Sequence, residues 1–286
     1  MDGRVAASSL PSIRLVALDI DGTLLRSDRT LSPRTRATVA LARARGVRIV
    51  LVTGRRHPSA RRVADELGEG LPLVLHNGAI VVEDGSIIRC RPLAREVAAR
   101  AIRGGRARGM EPVVHSGNRG EGWLIVDANA APAGLVGYYL ERAQSELRAV
   151  EDLLDALALE EPIQVMFGGT LAEMEGLLEA LSAALAGTAR IERTVYPATG
   201  FALVDVLDPS VGKADALAFL QQRWGIPAEA TLAIGDNWND RSMLEAAGRG
   251  LLMGNAPSEL LRLGLPVLPT NDEDGVAHAL EVHVLS

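Results

Sequence analysis

The stretch that decides the fold is IRLVALDI, residues 13–20, a near-continuous apolar run that ends in acids and continues as DGT to Thr23. Such a run suits a strand buried on both faces, as in a parallel sheet, rather than a half-exposed strand with alternating polarity. Working outward, Ser32 and Pro33 read as N-cap and first helical position, and Gly46 sits where that helix should stop. VRIVLVT (47–53) reads as a second buried strand, a basic helical stretch around Arg61 and Arg62 follows, and LPLVLHNG (71–78) reads as a third strand. Strand, helix, strand, helix, strand is the order of a doubly wound α/β sheet.

The rhythm then changes. AIVVEDGSIIRC (79–90) places Asp84-Gly85 between two β-branched runs, a hairpin signal. From about 93 to 208 helices and strands mix without the α/β alternation. Thr170 and Glu173 have the spacing of a capping box, and Leu171, Met174, Leu178, Leu181 and Leu185 are expected to line the buried face of the helix it opens. Gly104-Gly105 and Gly168-Gly169 read as turns. The α/β rhythm returns with a helix capped by Ser210, its Leu217, Leu220 and Trp224 facing inward, and with strands at TLAIGD (231–236), GLLMG (250–254) and LPVLP (265–269). The expected organisation is a flexible leader (1–12), a mostly parallel Rossmann-like α/β core (13–83 and 209–286) and an inserted α+β cap domain (84–208).

Composition narrows the function. Of 286 residues, 48% are hydrophobic and 23% charged, which excludes wholesale disorder. The net charge, 30 − 36 = −6, argues against binding nucleic acid or an anionic membrane. Cys90 is the single cysteine, so neither an internal disulfide nor a cysteine zinc cage can form. With no apolar run of roughly 18 residues and no apolar stretch at the N-terminus, a cytoplasmic, soluble protein is expected.

In an open parallel sheet, ligands bind outside the carboxyl ends of the strands. At or just beyond such ends lie Asp19 and Asp21, Thr53, Asp236 with Asn239 and Asp240, and Lys213 at a helix start. Carboxylates gathered there repel one another unless a cation sits among them, and hard oxygen ligands suit Mg²⁺. Two residues apart on an extended chain, Asp19 and Asp21 are expected to point the same way. One could act as a nucleophile and the other as acid and base. Thr53 offers a hydroxyl and Gly54 an unshielded N–H to phosphoryl oxygens, and Lys213 adds its charge to a helix N-terminus.

These residues carry a resemblance. DIDGT (19–23), VTGR (52–55), Lys213 and GDNWND (235–240) resemble the four motifs of the haloacid dehalogenase superfamily, in order. NGAIV (77–81), GDNWNDRSMLEAAG (235–248), MGNAP (253–257) and NDEDGVAHAL (271–280) resemble more closely its Cof-like phosphatases, whose cap is inserted between motifs two and three. The resemblance covers the core and is weak in the cap. One departure is Ala214 after Lys213, where many relatives carry a Lys-Gly pair. The resemblance implies Asp19 as nucleophile and metal ligand, and Asp21 as acid/base that also ligates Mg²⁺ through its backbone carbonyl. It further implies Asp236 as third protein ligand, Thr53 and Lys213 on the phosphoryl group, and Asn239 and Asp240 orienting phosphate, metal water or Lys213.

Around this set, Arg55 and Asn77 either touch substrate or hold loops. In the cap, His115, Asn118, Arg119 and Trp123 cluster in a strand-turn-strand segment; they could read the leaving group, against the plainer expectation of a solvated hairpin. Trp238 is expected to pack, and His57, His76, His278 and His283 lack metal-ligand spacing. The function expected is a Mg²⁺-dependent phosphatase acting on a small phosphorylated metabolite, such as a sugar phosphate, through a covalent aspartyl-phosphate. The alternatives are a phosphomutase of the same superfamily and a non-catalytic phosphometabolite-binding protein.

Overall fold

A computed structural model of the chain describes residues 11–117, 122–130, 134–141, 143–159 and 161–286; the expected leader lies almost wholly outside them. Among the described residues two sheets form. The first collects β1 (Leu15–Leu18), β2 (Arg48–Val52), β3 (Leu73–Leu75), β4 (Ile80–Glu83) and β5 (Ser86–Cys90). The second takes β6 (Val113–Ser116), β7 (Trp123–Asp127), β8 (Leu147–Val150), β9 (Pro162–Thr170), β10 (Arg190–Tyr196) and β11 (Phe201–Leu207). The chain then returns to the first sheet with β12 (Thr231–Gly235) and β13 (Arg249–Leu252).

The first sheet has the order β13-β12-β1-β2-β3-β4-β5, parallel from β13 to β3 and antiparallel at the β4–β5 hairpin. Both faces of β1 are buried, as the apolar run requires. Val16 and Leu18 pack in one cluster with α1 (Pro33–Ala44), α2 (His57–Leu67) and, later in the chain, residues 276–280, while Leu15 and Ala17 pack in another with residues 216–260. Ser32 caps α1 by accepting from the Thr35 N–H, with Pro33 in the first turn. The hairpin turn forms at Asp84 and Gly85, both in the left-handed region (φ 50° and 74°). Its second strand stays in the first sheet, so the chain crosses to the second sheet after Cys90, not at Glu83. Period alone could not show which sheet a β-branched run joins.

The second sheet has the order β10-β11-β9-β6-β7-β8, antiparallel except for β7 and β8. One face is covered by α3 (Arg95–Arg106), α5 (Leu153–Leu159) and α6 (Leu171–Ala184), and the other in part by α4 (Gly134–Glu141). The capping box at Thr170 and Glu173 forms. The buried stripe of α6 is Met174, Leu177 and Leu181, continued by Leu185 at its C-cap, whereas Leu171, in the first turn, is exposed. The two glycine pairs are not turns. Gly105 lies inside α3, where a Cβ would stand 2.1 Å from the Phe167 ring, and Gly168-Gly169 lie inside β9.

The final elements are α7 (Lys213–Trp224), α8 (Arg241–Ala246), α9 (Ser258–Leu261) and α10 (Gly275–His283). α7 is capped by Gly212 without a side chain, since the Ser210 hydroxyl donates to Asp208 instead. Leu217 and Leu220 are buried, and the partly buried Trp224 donates its indole N–H to Glu83. Residues 265–269 form an isolated bridge at Val267 rather than a strand.

Candidate active site

The carboxyl ends of β1, β2 and β12 carry the acids and hydroxyls expected there. β1 ends at Leu18 and the chain turns at once through a wide helical turn (Ile20–Leu24), so Asp19 and Asp21 do not lie on a continuing strand. They differ in environment: Asp19 is buried, whereas the Asp21 side chain keeps 43% of its exposure. Gly22 (φ 76°) makes the turn possible and also the approach to the loop after β12, because a Cβ there would stand 2.3 Å from Asp236 Oδ2.

Lys213 opens α7, its side chain fully buried, and donates to Asp19 Oδ1 at 2.6 Å and to Asp240 Oδ1 at 2.5 Å. Burial works against its charge, but the two carboxylates outweigh it and hold the ammonium above its usual range. Asp240 accepts at its other oxygen from the Asp236 and Asn237 N–H groups, so both its oxygens organise the loop and Lys213. Asp236 Oδ1 accepts from the Thr23 hydroxyl at 3.0 Å. Asp19, Asp236 and Asp240 offer carboxylate oxygens within 4.8 Å of one another. Burial, and then mutual repulsion, push the Asp19 and Asp236 carboxyls above the usual range. A single ammonium does not balance three acids, and the donor set is all oxygen, so a hard divalent cation fits the cluster.

Thr53 is buried at the end of β2, and its hydroxyl oxygen accepts from the Arg55 N–H, leaving the hydroxyl proton free to donate. The Arg55 guanidinium forks onto Asp21, Nε to Oδ2 and Nη2 to Oδ1, each at 2.6 Å. Asn77 donates to Asp205 Oδ2 (3.1 Å) and accepts from Asn239 Nδ2 (2.9 Å). Gly54 lies alongside, at a spacing where a Cβ would stand 3.1 Å from Asn77 Oδ1.

The second sheet is seated over this end of the first. Asn237 clasps β10 with two bonds to Val195, accepting from its N–H (2.9 Å) and donating to its carbonyl (2.7 Å). The Arg193 guanidinium lies 4.8 Å from the Trp238 ring centroid, and Arg56 donates to the Gly122 carbonyl at 2.7 Å. Tyr196, 36% exposed, has its phenol held protonated by desolvation and by the field of Asp21, Asp205, Asp19 and Asp236.

Of the cap residues named from sequence, the described ones are His115 and Trp123, on the paired strands β6 and β7. His115 is no solvated hairpin residue: on β6 it is buried, with its ring edge-on to His76 at 5.4 Å. Trp123, on β7, lies under the Arg148 guanidinium at 3.8 Å. Asn118 and Arg119 fall outside the described residues.

Sequence reasoning assigned no role to Thr23, Asp205 or Asn237, nor to two side chains that brace the Asp19 loop. Asn255 donates to the Gly22 carbonyl (2.7 Å), and Asn271 donates its N–H to Asn255 and its amide to the Leu25 carbonyl. Both asparagines lie in motifs that carried the resemblance, and that was the available signal.

Comparisons with known proteins agree with this geometry. The family described as haloacid dehalogenase-like hydrolase matches residues 16–280. The HMP-PP phosphatase of Cronobacter sakazakii is 31% identical, covering 93% of this chain and 94% of its own. Phosphatase YwpJ of Bacillus subtilis is 27% identical, covering 96% and 100%. A solved haloacid dehalogenase-like hydrolase from Bacteroides thetaiotaomicron superposes with a TM-score of 0.76 at 26% identity, over 95% of this chain and 99% of that one. With the family match spanning both sheets and the acids gathered at the strand ends, the chain belongs to the haloacid dehalogenase-like hydrolases, as a phosphoric monoester hydrolase of their Cof-like branch.

Proposed function

We propose that the chain hydrolyses a small phosphorylated metabolite through a covalent aspartyl-phosphate on Asp19, with Mg²⁺ as cofactor. The observation that carries this is the asymmetric setting of Asp19, one oxygen held by Lys213 at 2.6 Å at the mouth of the sheet. That bond orients the carboxylate, and Lys213 and the Thr53 hydroxyl supply positive charge and a donor where a phosphoryl group gains charge during transfer. An Asp19 oxygen attacks phosphorus as the bond to the leaving oxygen breaks, and Asp21 gives that oxygen a proton. Asp21 then takes a proton from water, which attacks the phosphoryl group, restores the Asp19 carboxylate and releases inorganic phosphate. The Arg55 fork occupies both Asp21 oxygens, so it must open before either proton moves. Asp19 and Asp236, with the Asp21 carbonyl, would hold Mg²⁺, which neutralises the acids and the phosphoryl charge.

The second sheet acts in this reading as a cap over the leaving group. The relatives' names point to two substrate groups: HMP-PP, and 5-amino-6-(5-phospho-D-ribitylamino)uracil for YbjI of Escherichia coli. A phosphate-release panel with these esters and sugar phosphates, without a bisphosphate activator, tests the proposal. Turnover should require Mg²⁺ and stop with a chelator. Asp19→Asn should fold and be inactive, and near-parental hydrolysis by that variant would overturn the mechanism.

A further inference from the structure

A chain of buried side chains runs from inside the second sheet to the catalytic loop, and each link has a direction. His76 Nδ1 lies 3.2 Å from Gln164 Oε1, Gln164 Nε2 donates to Asp205 Oδ1 at 3.1 Å, and Asn77 Nδ2 donates to Asp205 Oδ2 at 3.1 Å. Asn239 Nδ2 in turn donates to Asn77 Oδ1 at 2.9 Å. All five residues are buried. Gln164 and Asp205 come from β9 and β11 of the second sheet, whereas His76, Asn77 and Asn239 come from loops of the first.

An amide has one donating end and one accepting end, and a carboxylate can only accept. An ionised Asp205 therefore requires the nitrogen of Asn77 to face it, which turns Asn77 Oδ1 toward Asn239. Asn239 must then give a nitrogen to Asn77, and its own Oδ1 is left buried without a partner among the described residues. Toward the second sheet the same rule fixes Gln164, and it places the His76 proton on Nδ1. Put a donor in place of the Asp205 oxygen that faces Asn77, and the Asn77 and Asn239 amides can turn over.

The backbone supports this role. His76, Asn77 and Gly78 are three successive residues with positive φ (50°, 54° and 112°), a strained arrangement that persists only where the surroundings hold it. It brings the Asn77 amide between Asp205 and Asn239.

We propose that Asp205 is a positioning residue for the phosphoryl-transfer site: its carboxylate sets the direction of the Gln164–Asp205–Asn77–Asn239 chain, and so ties the seating of the second sheet to the atom that Asn239 presents. The inference rests on the phosphatase reading for its activity assay, and on geometry alone for its spectroscopic one. Packing is not the reason for the charge. Glu192 lies directly opposite on β10, the Tyr196 phenol shares the field, and desolvation followed by Glu192 pushes the Asp205 carboxyl up to about 7 against the Asn77 bond. A folded-state value above the unfolded one means stability is lost as pH rises through that window, so the ionised form is a cost at pH 8. Asp205→Asn keeps the shape and removes that cost.

The test is Asp205→Asn in the full-length chain at pH 8. Three results are expected together: an unfolding midpoint equal to or above the parent's, a kcat lower by roughly 10–100-fold with KM within twofold, and displaced side-chain amide NMR resonances of Asn77 and Asn239 in the metal-free protein. Should this variant fail to fold, Asn77→Gly cuts the chain while suiting the left-handed backbone, and must give the same kcat loss and the same displaced Asn239 resonance. Unmoved Asn239 resonances, an unchanged kcat, or a kcat loss that only follows a loss of stability would overturn the proposal. A parent chain without phosphatase activity would instead refute the phosphatase reading, and the amide resonances would still decide this one.

Discussion

Replacing Lys213 by Met keeps the buried stem and deletes the ammonium that bridges Asp19 and Asp240. Two charge-assisted hydrogen bonds disappear, at 2.6 and 2.5 Å, each worth roughly 1.5–3 kcal/mol. Breaking a buried ion pair from one side costs about 3–5 kcal/mol, because the remaining charges are left uncompensated. Here the variant leaves three carboxylates within 4.8 Å and no ammonium. We therefore expect Lys213→Met, in chelator, to lose about 3–5 kcal/mol, which in a chain of this size is a fall in Tm of roughly 6–20 °C. On the proposal that Mg²⁺ binds the folded site alone, adding it should restore stability, by about 2.7 kcal/mol at a hundredfold excess over Kd. Thermal unfolding with and without chelator reads both effects. A loss below about 1 kcal/mol in chelator would show that the acids tolerate one another without the ammonium, and would refute the electrostatic account of the site.

Three further expectations follow from the geometry. Asp21→Asn should slow hydrolysis by about 10²–10⁴-fold for alkyl phosphates and by less for p-nitrophenyl phosphate, whose leaving group needs no proton; equal losses in single turnover would remove Asp21 from proton transfer. Gly22→Ala should lower activity and stability together, because its Cβ would stand 2.3 Å from Asp236 Oδ2 at a φ of 76°, and a parental Tm would contradict the close approach. His76 is lowered from 6.5 to about 4, chiefly by burial, so its contribution to stability is present above pH 6.5 and lost as pH falls toward 4. That loss amounts to roughly 3 kcal/mol. His76→Asn, which suits the left-handed backbone, should flatten this slope in denaturant unfolding between pH 7.5 and 4.5, and equal slopes would argue against a buried neutral imidazole.

Much of the architecture was legible because parallel strands buried on both faces write themselves as apolar runs, and β1, β2 and β12 lie within the runs at 13–20, 47–53 and 231–236. The acids were legible for the complementary reason: Asp19 and Asp236 follow those runs at once, where no apolar contact explains a carboxylate. What local pattern cannot carry is pairing across the chain. The Arg55 fork on Asp21, the Asn237 clasp on Val195 and the Asn77 bond to Asp205 join residues 34 to 128 positions apart. The helix start at Lys213 was legible, but its cap was misread for a related reason: Ser210 has the chemistry of a cap, yet its hydroxyl is used by Asp208 and Gly212 takes the position. His115 reads as a surface hairpin residue until β6 and the loop after β3 are brought together, which sequence alone does not do.

The central strand has one further consequence, for synthesis. β1 is flanked by β2, made soon after it, and by β12, whose Thr231 pairs with Leu15 only once more than 200 further residues have been added. The Asn271 brace on the Asp19 loop is later still. On the ribosome the first strand therefore waits with one edge unpaired while the whole second sheet is made, and contacts of such long separation close slowly. Asp19 is among the first residues of the site to be translated and among the last to be held in place, so the growing chain carries the acid before the partners that hold it.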